Sequence, residues 1–202
     1  MKLIALTGGI ACGKTTAAQT LRELGAAVVD ADAVSRALTA PGGEALPAVF
    51  AAFGKEVQGA ENTLNRTALA ALVFENPQAR ETLDRILHPM IEKQMKAEIA
   101  AYHKKGFSVV FLDVPLLYEA GMEALADEVW CISAPEEIQI RRMAARDGFS
   151  REQALLRIRS QWPLCQKESL ADQVIFTDRS LPDVKAEIAR LYQRVSERSS
   201  EG

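Results

Sequence analysis

Gly8-Gly9-Ile10-Ala11-Cys12-Gly13-Lys14-Thr15 is the stretch that decides the fold. It matches the pattern GxxxxGK[ST], with Gly8, Gly13, Lys14 and Thr15 at the fixed positions. The apolar run at residues 3–6 precedes it, and Thr15-Thr16-Ala17-Ala18 leads into a helical pattern containing Leu21 and Leu24. Strand, glycine-rich loop and helix, in that order, is what a nucleotide phosphate chain requires. The glycines let backbone N–H groups turn inward around phosphate oxygens. The helix N-terminus adds the positive end of its dipole. Lys14 reaches the β- and γ-phosphates of ATP, and the Thr15 hydroxyl is placed to ligate Mg²⁺. Gly8, Gly9, Ala11, Cys12, Gly13 and Thr16 complete the expected ATP-binding set. No GxGxxG occurs, so a dinucleotide fold is a poor alternative.

Outward from the loop, four more short apolar runs are found at 27–30, 109–114, 129–133 and 174–177. Each is nearly continuous rather than alternating, as expected for strands buried on both faces of a parallel sheet. Val184, Ile188, Leu191 and Val195 recur at helical spacing near the end of the chain. The polar tail at 196–202 is expected to fray. The expected fold is therefore α/β, a P-loop kinase fold with a five-stranded parallel sheet flanked by helices and right-handed crossovers.

The connections are uneven. From Asp32 to Val109 no good strand is seen. Pro41-Gly42-Gly43 breaks the chain and a loop follows at 54–65. Leu83, Ile86, Leu87, Met90 and Ile91 then share a helix face, and Lys104-Lys105-Gly106 supply a stop. This is far longer than an ordinary crossover, so residues 33–106 are expected to form an inserted helical lobe. A second excursion, 141–169, carries Arg141, Arg142, Arg146, Arg151, Arg157 and Arg159, with a capping box of Ser150 and Gln153. It reads as a lid. The core then comprises 1–32, 107–140 and 170–202.

The chain has 202 residues, enough for one sizeable core with a smaller lobe. Its net charge is -3, which disfavours nucleic acid as a partner. Cys12, Cys131 and Cys165 are widely spaced and form no CxxC pair. With only His88 and His103 as histidines, no zinc spacing exists. Such cysteines suggest reduced thiols and a cytoplasmic location. No segment has eighteen uninterrupted apolar residues, so no membrane span is expected. The chain is read as a monomer. The cysteines read as small packing residues, and Cys12, which lines the loop, also reads as a site of oxidative sensitivity.

A phosphate loop specifies nucleotide but not reaction. No NKxD-type guanine-reading motif is present. A small kinase with an inserted acceptor lobe and an arginine-rich lid fits the length. The second strand ends in Asp30-Ala31-Asp32, and open parallel sheets bind ligands at the carboxyl ends of their strands. One carboxylate can orient or deprotonate an acceptor hydroxyl. Asp30 reads equally as a helix N-cap, and Asp32 is the favoured acceptor-side residue. Asp113 follows an apolar run in a Walker-B-like position and is placed to hold Mg²⁺ or a water. Arg142 and Arg146, four apart, share one side of a helical turn. Their planar guanidinium groups suit a transferring phosphate.

Several segments together resemble the dephospho-CoA kinases: residues 7–15, Val29-Asp30-Ala31-Asp32, Leu87-His88-Pro89, and Asp113-Val114-Pro115-Leu116-Leu117 with Glu119. Ser160-Gln161, Lys167 and Ala171-Asp172-Gln173-Val174-Ile175 continue the resemblance. It runs in order to about Asp178. It implies transfer of the ATP γ-phosphate to the ribose 3′-hydroxyl of dephospho-CoA, giving CoA and ADP, the last step of coenzyme A biosynthesis. It also implies a helical CoA-side lobe. Lys14, Asp32, Arg142 and Arg146 would be catalytic, and Asp32, Arg66, His88 and Leu117 would bind the acceptor. Where the family commonly has Gly-Ser-Gly-Lys, this chain has Ala11-Cys12-Gly13-Lys14. After the last strand it has Thr177-Asp178 where the family tends to show Asn, which bears on the adenine contact. A kinase for another acceptor and a non-catalytic nucleotide-dependent binding protein remain the alternative readings.

Overall fold

A computed structural model describes residues 1–200. The backbone divides into two compact units, one built from Met1–Val29 and the chain from Ala101 onward, the other from Asp30–Ala100.

The first unit holds the sheet. Its strands are β1 (Lys2–Gly8), β2 (Ala27–Asp30), β3 (Val109–Asp113), β4 (Glu128–Ser133) and β5 (Gln173–Phe176). Their spatial order is β2-β3-β1-β4-β5. β1 lies at the centre, parallel to β3 with Leu6 opposite Asp113 and parallel to β4 with Gly8 opposite Ile132. One face packs on α1 (Lys14–Glu23) and α9 (Leu181–Ser200). Ile4, Leu6, Phe111, Trp130, Ile132 and Ile175 point there, against Ala17, Leu21, Ile188 and Leu191. The intervening residues Ala5, Val110, Leu112 and Cys131 point to the opposite face and are also wholly buried. Burial on both faces is why these strands read as continuous apolar runs.

α9 takes up the spacing of Val184, Ile188, Leu191 and Val195, all of them buried. It does not fray at Ser196 but continues to Ser200. The remainder of the tail expected to fray, residues 201–202, lies outside the described residues.

Three further helices follow β4: α6 (Glu136–Asp147), α7 (Arg151–Arg159) and α8 (Leu164–Leu170). The capping box is formed, with Ser150 Oγ accepting from Gln153 N and the Gln153 side chain accepting from Ser150 N. Ile140, Met143 and Ala154 make a small core between α6 and α7 that also takes in Ile10 and Ala11. α8 packs instead on β4 and β1. α6 and α7 thus form a helical pair on the phosphate loop, and α8 a helix on the sheet.

The second unit, Asp30–Ala100, is helical. It contains α2 (Ala31–Leu38), α3 (Leu46–Phe53), α4 (Arg66–Glu75) and most of α5 (Pro77–Lys104). Val49, Val57 and Leu69 are its centre, with Leu83, Ile86 and Leu87 of α5 packed on them. Pro89 lies inside α5 without ending it, although it removes one helical donor. The stop comes where Lys104-Lys105-Gly106 put it. Gly106 has φ 84°, its N–H donates to His103 O, and Phe107 N–H donates to Tyr102 O. This is a Schellman motif, and the Tyr102 and Phe107 rings meet edge-on with centroids 5.3 Å apart.

Candidate active site

The glycine loop leaves β1 at a point of close approach. A Cβ on Gly8 would lie 2.3 Å from the Ile132 carbonyl oxygen, so no larger residue fits between β1 and β4. Ala11 is left-handed at φ 57° and Gly13 lies at φ 93°. These turns direct successive carbonyls away from the cradle, and each outward carbonyl has a dedicated partner. Arg142 donates from Nη1 to Ala11 O at 3.1 Å, and Thr177 Oγ1 donates to Cys12 O at 2.6 Å. Arg142 also donates to Thr177 Oγ1 at 2.9 Å and to Thr177 O at 2.6 Å. Within the loop, Ile10 N–H is given to Gln161 Oε1 and Cys12 N–H to Gly9 O, and the other loop N–H groups are left for a phosphate.

Thr177 is buried. Its side chain serves as a strut beneath the loop. The only signal for that was its position at the end of the last strand.

At the loop's end, α1 begins with Gly13 as its N-cap residue and no side-chain cap. Its first N–H groups therefore await an external acceptor. Lys14 Nζ is paired with the Asp113 carboxylate at the end of β3. Thr15 is exposed and Thr16 half-buried. Cys12 is wholly buried, and burial pushes its thiol up to about 11. It is a small packing residue, and a raised thiol pKa disfavours the reactive thiolate.

Beyond β3 lies a second buried cluster. Lys167 Nζ, wholly inaccessible, pairs with Glu119 Oε1 at 2.6 Å and also donates to Pro115 O at 3.4 Å. Thr7 Oγ1 donates to the same Pro115 carbonyl. Glu119 Oε1 further accepts from Trp162 N–H at 3.0 Å, and the Tyr118 and Trp162 rings stack. Gln161 Oε1 accepts from Ile10 N–H at 3.0 Å. Leu117, expected to touch the acceptor, is completely buried. Arg146 is exposed and engages only its neighbour Asp147 among the described residues.

A groove of about 560 Å³ is lined by the ends of β4 and β5, the start of α6 and residues of α7 and α8. No glycine-loop residue lines it, but Gln161, which accepts from Ile10 N–H of that loop, does.

In the helical unit, Asp30 caps α2 by accepting from Ala33 N–H at 2.9 Å. Asp32, in the first turn, is exposed and has no hydrogen-bond partner among the described residues. Arg66 Nη2 donates to Arg36 O, Thr39 O and Thr39 Oγ1 at the end of α2. His88 Nε2 lies 3.6 Å from Asp84 Oδ1, one turn back along α5.

The family model for dephospho-CoA kinase matches residues 2–183. The chain belongs to the dephospho-CoA kinase family. A dephospho-CoA kinase of Carboxydothermus hydrogenoformans is 40% identical over 194 residues, covering 96% of this chain and 94% of that protein. Among solved structures, the protein TT1252 of Thermus thermophilus superposes with a TM-score of 0.81 at 34% identity, covering 95% of this chain and 97% of that one. The dephospho-CoA kinase of Campylobacter jejuni gives a TM-score of 0.73 at 28% identity, with 96% and 97% coverage. The five-stranded sheet and its glycine loop are the P-loop kinase fold, and family membership makes the protein an ATP-dependent phosphotransferase.

Proposed function

We propose that this protein transfers the γ-phosphate of ATP to the ribose 3′-hydroxyl of dephospho-CoA, with the roles of its residues divided as follows. Family membership identifies the activity, the last step of coenzyme A biosynthesis. The observation that carries the assignment of roles is the ion pair of Lys14 with Asp113 beside the uncapped start of α1. It brings the phosphate-binding ammonium and a carboxylate to one point at the strand ends.

Phosphoryl transfer needs positioning and charge neutralisation more than covalent chemistry. The loop amides and Lys14 hold ATP. Arg142 braces the loop from behind and keeps its amides aimed. Arg146, exposed and bound among the described residues only to its neighbour Asp147, exchanges Asp147 for a phosphate. Asp32 orients the acceptor hydroxyl. Arg66 and His88 serve the acceptor's pyrophosphate, and Leu117 acts by packing behind the acceptor side.

The donor set suits Mg²⁺. Thr15 offers an exposed hydroxyl and Asp113 a carboxylate, both hard oxygen ligands of the kind that Mg²⁺ takes alongside substrate phosphates and water. Bound there, the ion would neutralise charge on the β- and γ-phosphates. No described helix is long and apolar enough to cross a membrane. A monomer in the cytoplasm with no nucleic-acid partner is part of the same proposal, supported by the net charge of -3 and the three free cysteines.

The test is ADP release from Mg-ATP with dephospho-CoA, with nucleoside monophosphates, or with no acceptor. Turnover only with dephospho-CoA is expected. Turnover with a monophosphate instead would move the acceptor elsewhere, and none with any acceptor would leave a binding protein. Asp32→Asn should lower turnover while ATP still binds; unchanged turnover would remove Asp32 from the mechanism.

A further inference from the structure

Gln161 stands at the junction of α7 and α8, and its side chain is fixed at one end. Ile10 N–H can only donate, so the atom it meets at 3.0 Å must be the amide oxygen, Oε1. The nitrogen, Nε2, is then turned away with two hydrogens to give, and it has no partner among the described residues. Gln161 is half-buried. An oriented amide donor on a phosphate loop is poised for an anion.

The surroundings say which anion. Loop amides from Ala11 onward cradle the inner phosphates, while the loop lysine reaches toward the β- and γ-phosphates. Lys14 Nζ lies on Asp113, so the outer end of the phosphate chain lies toward the end of β3. Gln161 lines the groove at the ends of β4 and β5, and its neighbour ties it toward the β3 side. The next residue, Trp162, is tied by its N–H to Glu119 Oε1. Glu119 is ion-paired to the inaccessible Lys167, which also reaches Pro115 O, two residues beyond Asp113. Lys167 and Glu119 thus form a buried platform that fixes the Gln161 backbone beside the β3 end. Ile10 precedes the cradling residues, at the outer end of the loop.

We propose that Gln161 is a γ-phosphate-contacting residue, its Nε2 donating to a γ-phosphoryl oxygen while Ile10 N–H holds its Oε1. The inference rests on the ATP-binding reading of the loop. It makes Gln161 a reader of ATP against ADP, because the bond exists only when the third phosphate is present. A hydrogen bond to a charged oxygen carries about ten- to hundred-fold in affinity.

The experiment compares binding of a non-hydrolysable ATP analogue and of ADP, both with Mg²⁺, to the full-length protein and to Gln161→Ala and Gln161→Glu. Gln161→Glu keeps an oxygen for Ile10 N–H but removes the donor, which separates bracing from contact. Expected are an at least ten-fold loss for the ATP analogue in both variants, ADP affinity within two-fold of the parent, and a fall in kcat. Retained ADP binding also shows that the variants fold. An equal loss for ATP analogue and ADP would make Gln161 a loop brace only, and parent-like analogue binding by Gln161→Glu would remove the contact. A raised KM for dephospho-CoA with ATP/ADP discrimination intact would reassign it to the acceptor. If the parent itself binds neither nucleotide, the ATP reading fails rather than this inference.

Discussion

Lys167 Nζ lies 2.6 Å from Glu119 Oε1, and the lysine is wholly inaccessible to solvent. A buried pair of this kind contributes little net stability as a pair, but losing one partner strands a charge in the interior. Lys167→Met should therefore destabilise the protein by about 3–5 kcal/mol. Glu119→Gln in the same chain should recover a large part of that loss, since the stranded charge is gone. Urea unfolding of the two single variants and the double variant measures this directly. A Lys167→Met cost within that of an ordinary surface substitution would show that the pair is not buried in solution.

Arg142 and Arg146 are one turn apart and do different things. Arg142 serves two carbonyls and a hydroxyl behind the loop. Arg142→Ala should lower stability by about 2–3 kcal/mol and weaken ATP binding along with it. Arg142→Lys should not restore either, because an ammonium lacks the planar fork that spans Ala11 O and Thr177 O. Arg146 is exposed, and its loss should change stability by no more than about 0.5 kcal/mol. If Arg146 closes on a phosphate, Arg146→Ala will lower kcat without changing the unfolding midpoint. Unchanged kinetics would return it to an ordinary solvated helix face.

The difference between these two arginines marks where sequence reading stops. The loop and its strands were legible because their signals are local: glycines at fixed spacing, then apolar runs buried on both faces. The helix stop at Lys104-Lys105-Gly106 was legible for the same reason, since a Schellman motif lies within six residues. Arg142 and Arg146 look alike in sequence, and only contacts with Ala11 and Thr177, far away along the chain, separate them. Gln161 was visible as part of a family pattern but carried no role until Ile10 N–H was found on its oxygen. Arg66 read as a cation awaiting a ligand, and it spends one nitrogen on the end of α2. Side chain to distant backbone is the contact class that leaves no periodicity to read.

Glu128 should set an acid limit on stability. Burial raises its pKa, but hydrogen bonds from Lys2 at 2.5 Å and from Trp130 Nε1 at 2.7 Å, with the charges of Lys2 and Arg194, outweigh this and hold it below the ordinary 4.5. A carboxyl depressed in the folded state contributes stability above its unfolded pKa, and the contribution disappears as pH falls through the folded value. Glu128→Gln should thus be less stable than the parent by about 1 kcal/mol at pH 7. The two stability curves should converge below about pH 4.5. Parallel curves down to pH 3 would show that Glu128 does not titrate with unfolding.

The three cysteines should sort by reactivity in a way that their sequence positions do not suggest. Cys12, in the phosphate loop, and Cys131, in β4, are wholly buried, and burial pushes their thiols up to about 11 and about 12. Thiolate is the reactive form, so at pH 7.5 both are protonated as well as inaccessible. Cys165, on α8, is exposed. Brief treatment of the folded protein with iodoacetamide, followed by peptide mass mapping, should modify Cys165 and leave Cys12 and Cys131 intact. In urea all three should react. Because the modified thiol is the exposed one and the loop thiol is spared, alkylated protein should retain its affinity for Mg-ATP. Rapid labelling of Cys12 in the folded state, with loss of nucleotide binding, would show instead that the loop opens far enough to expose its own core face.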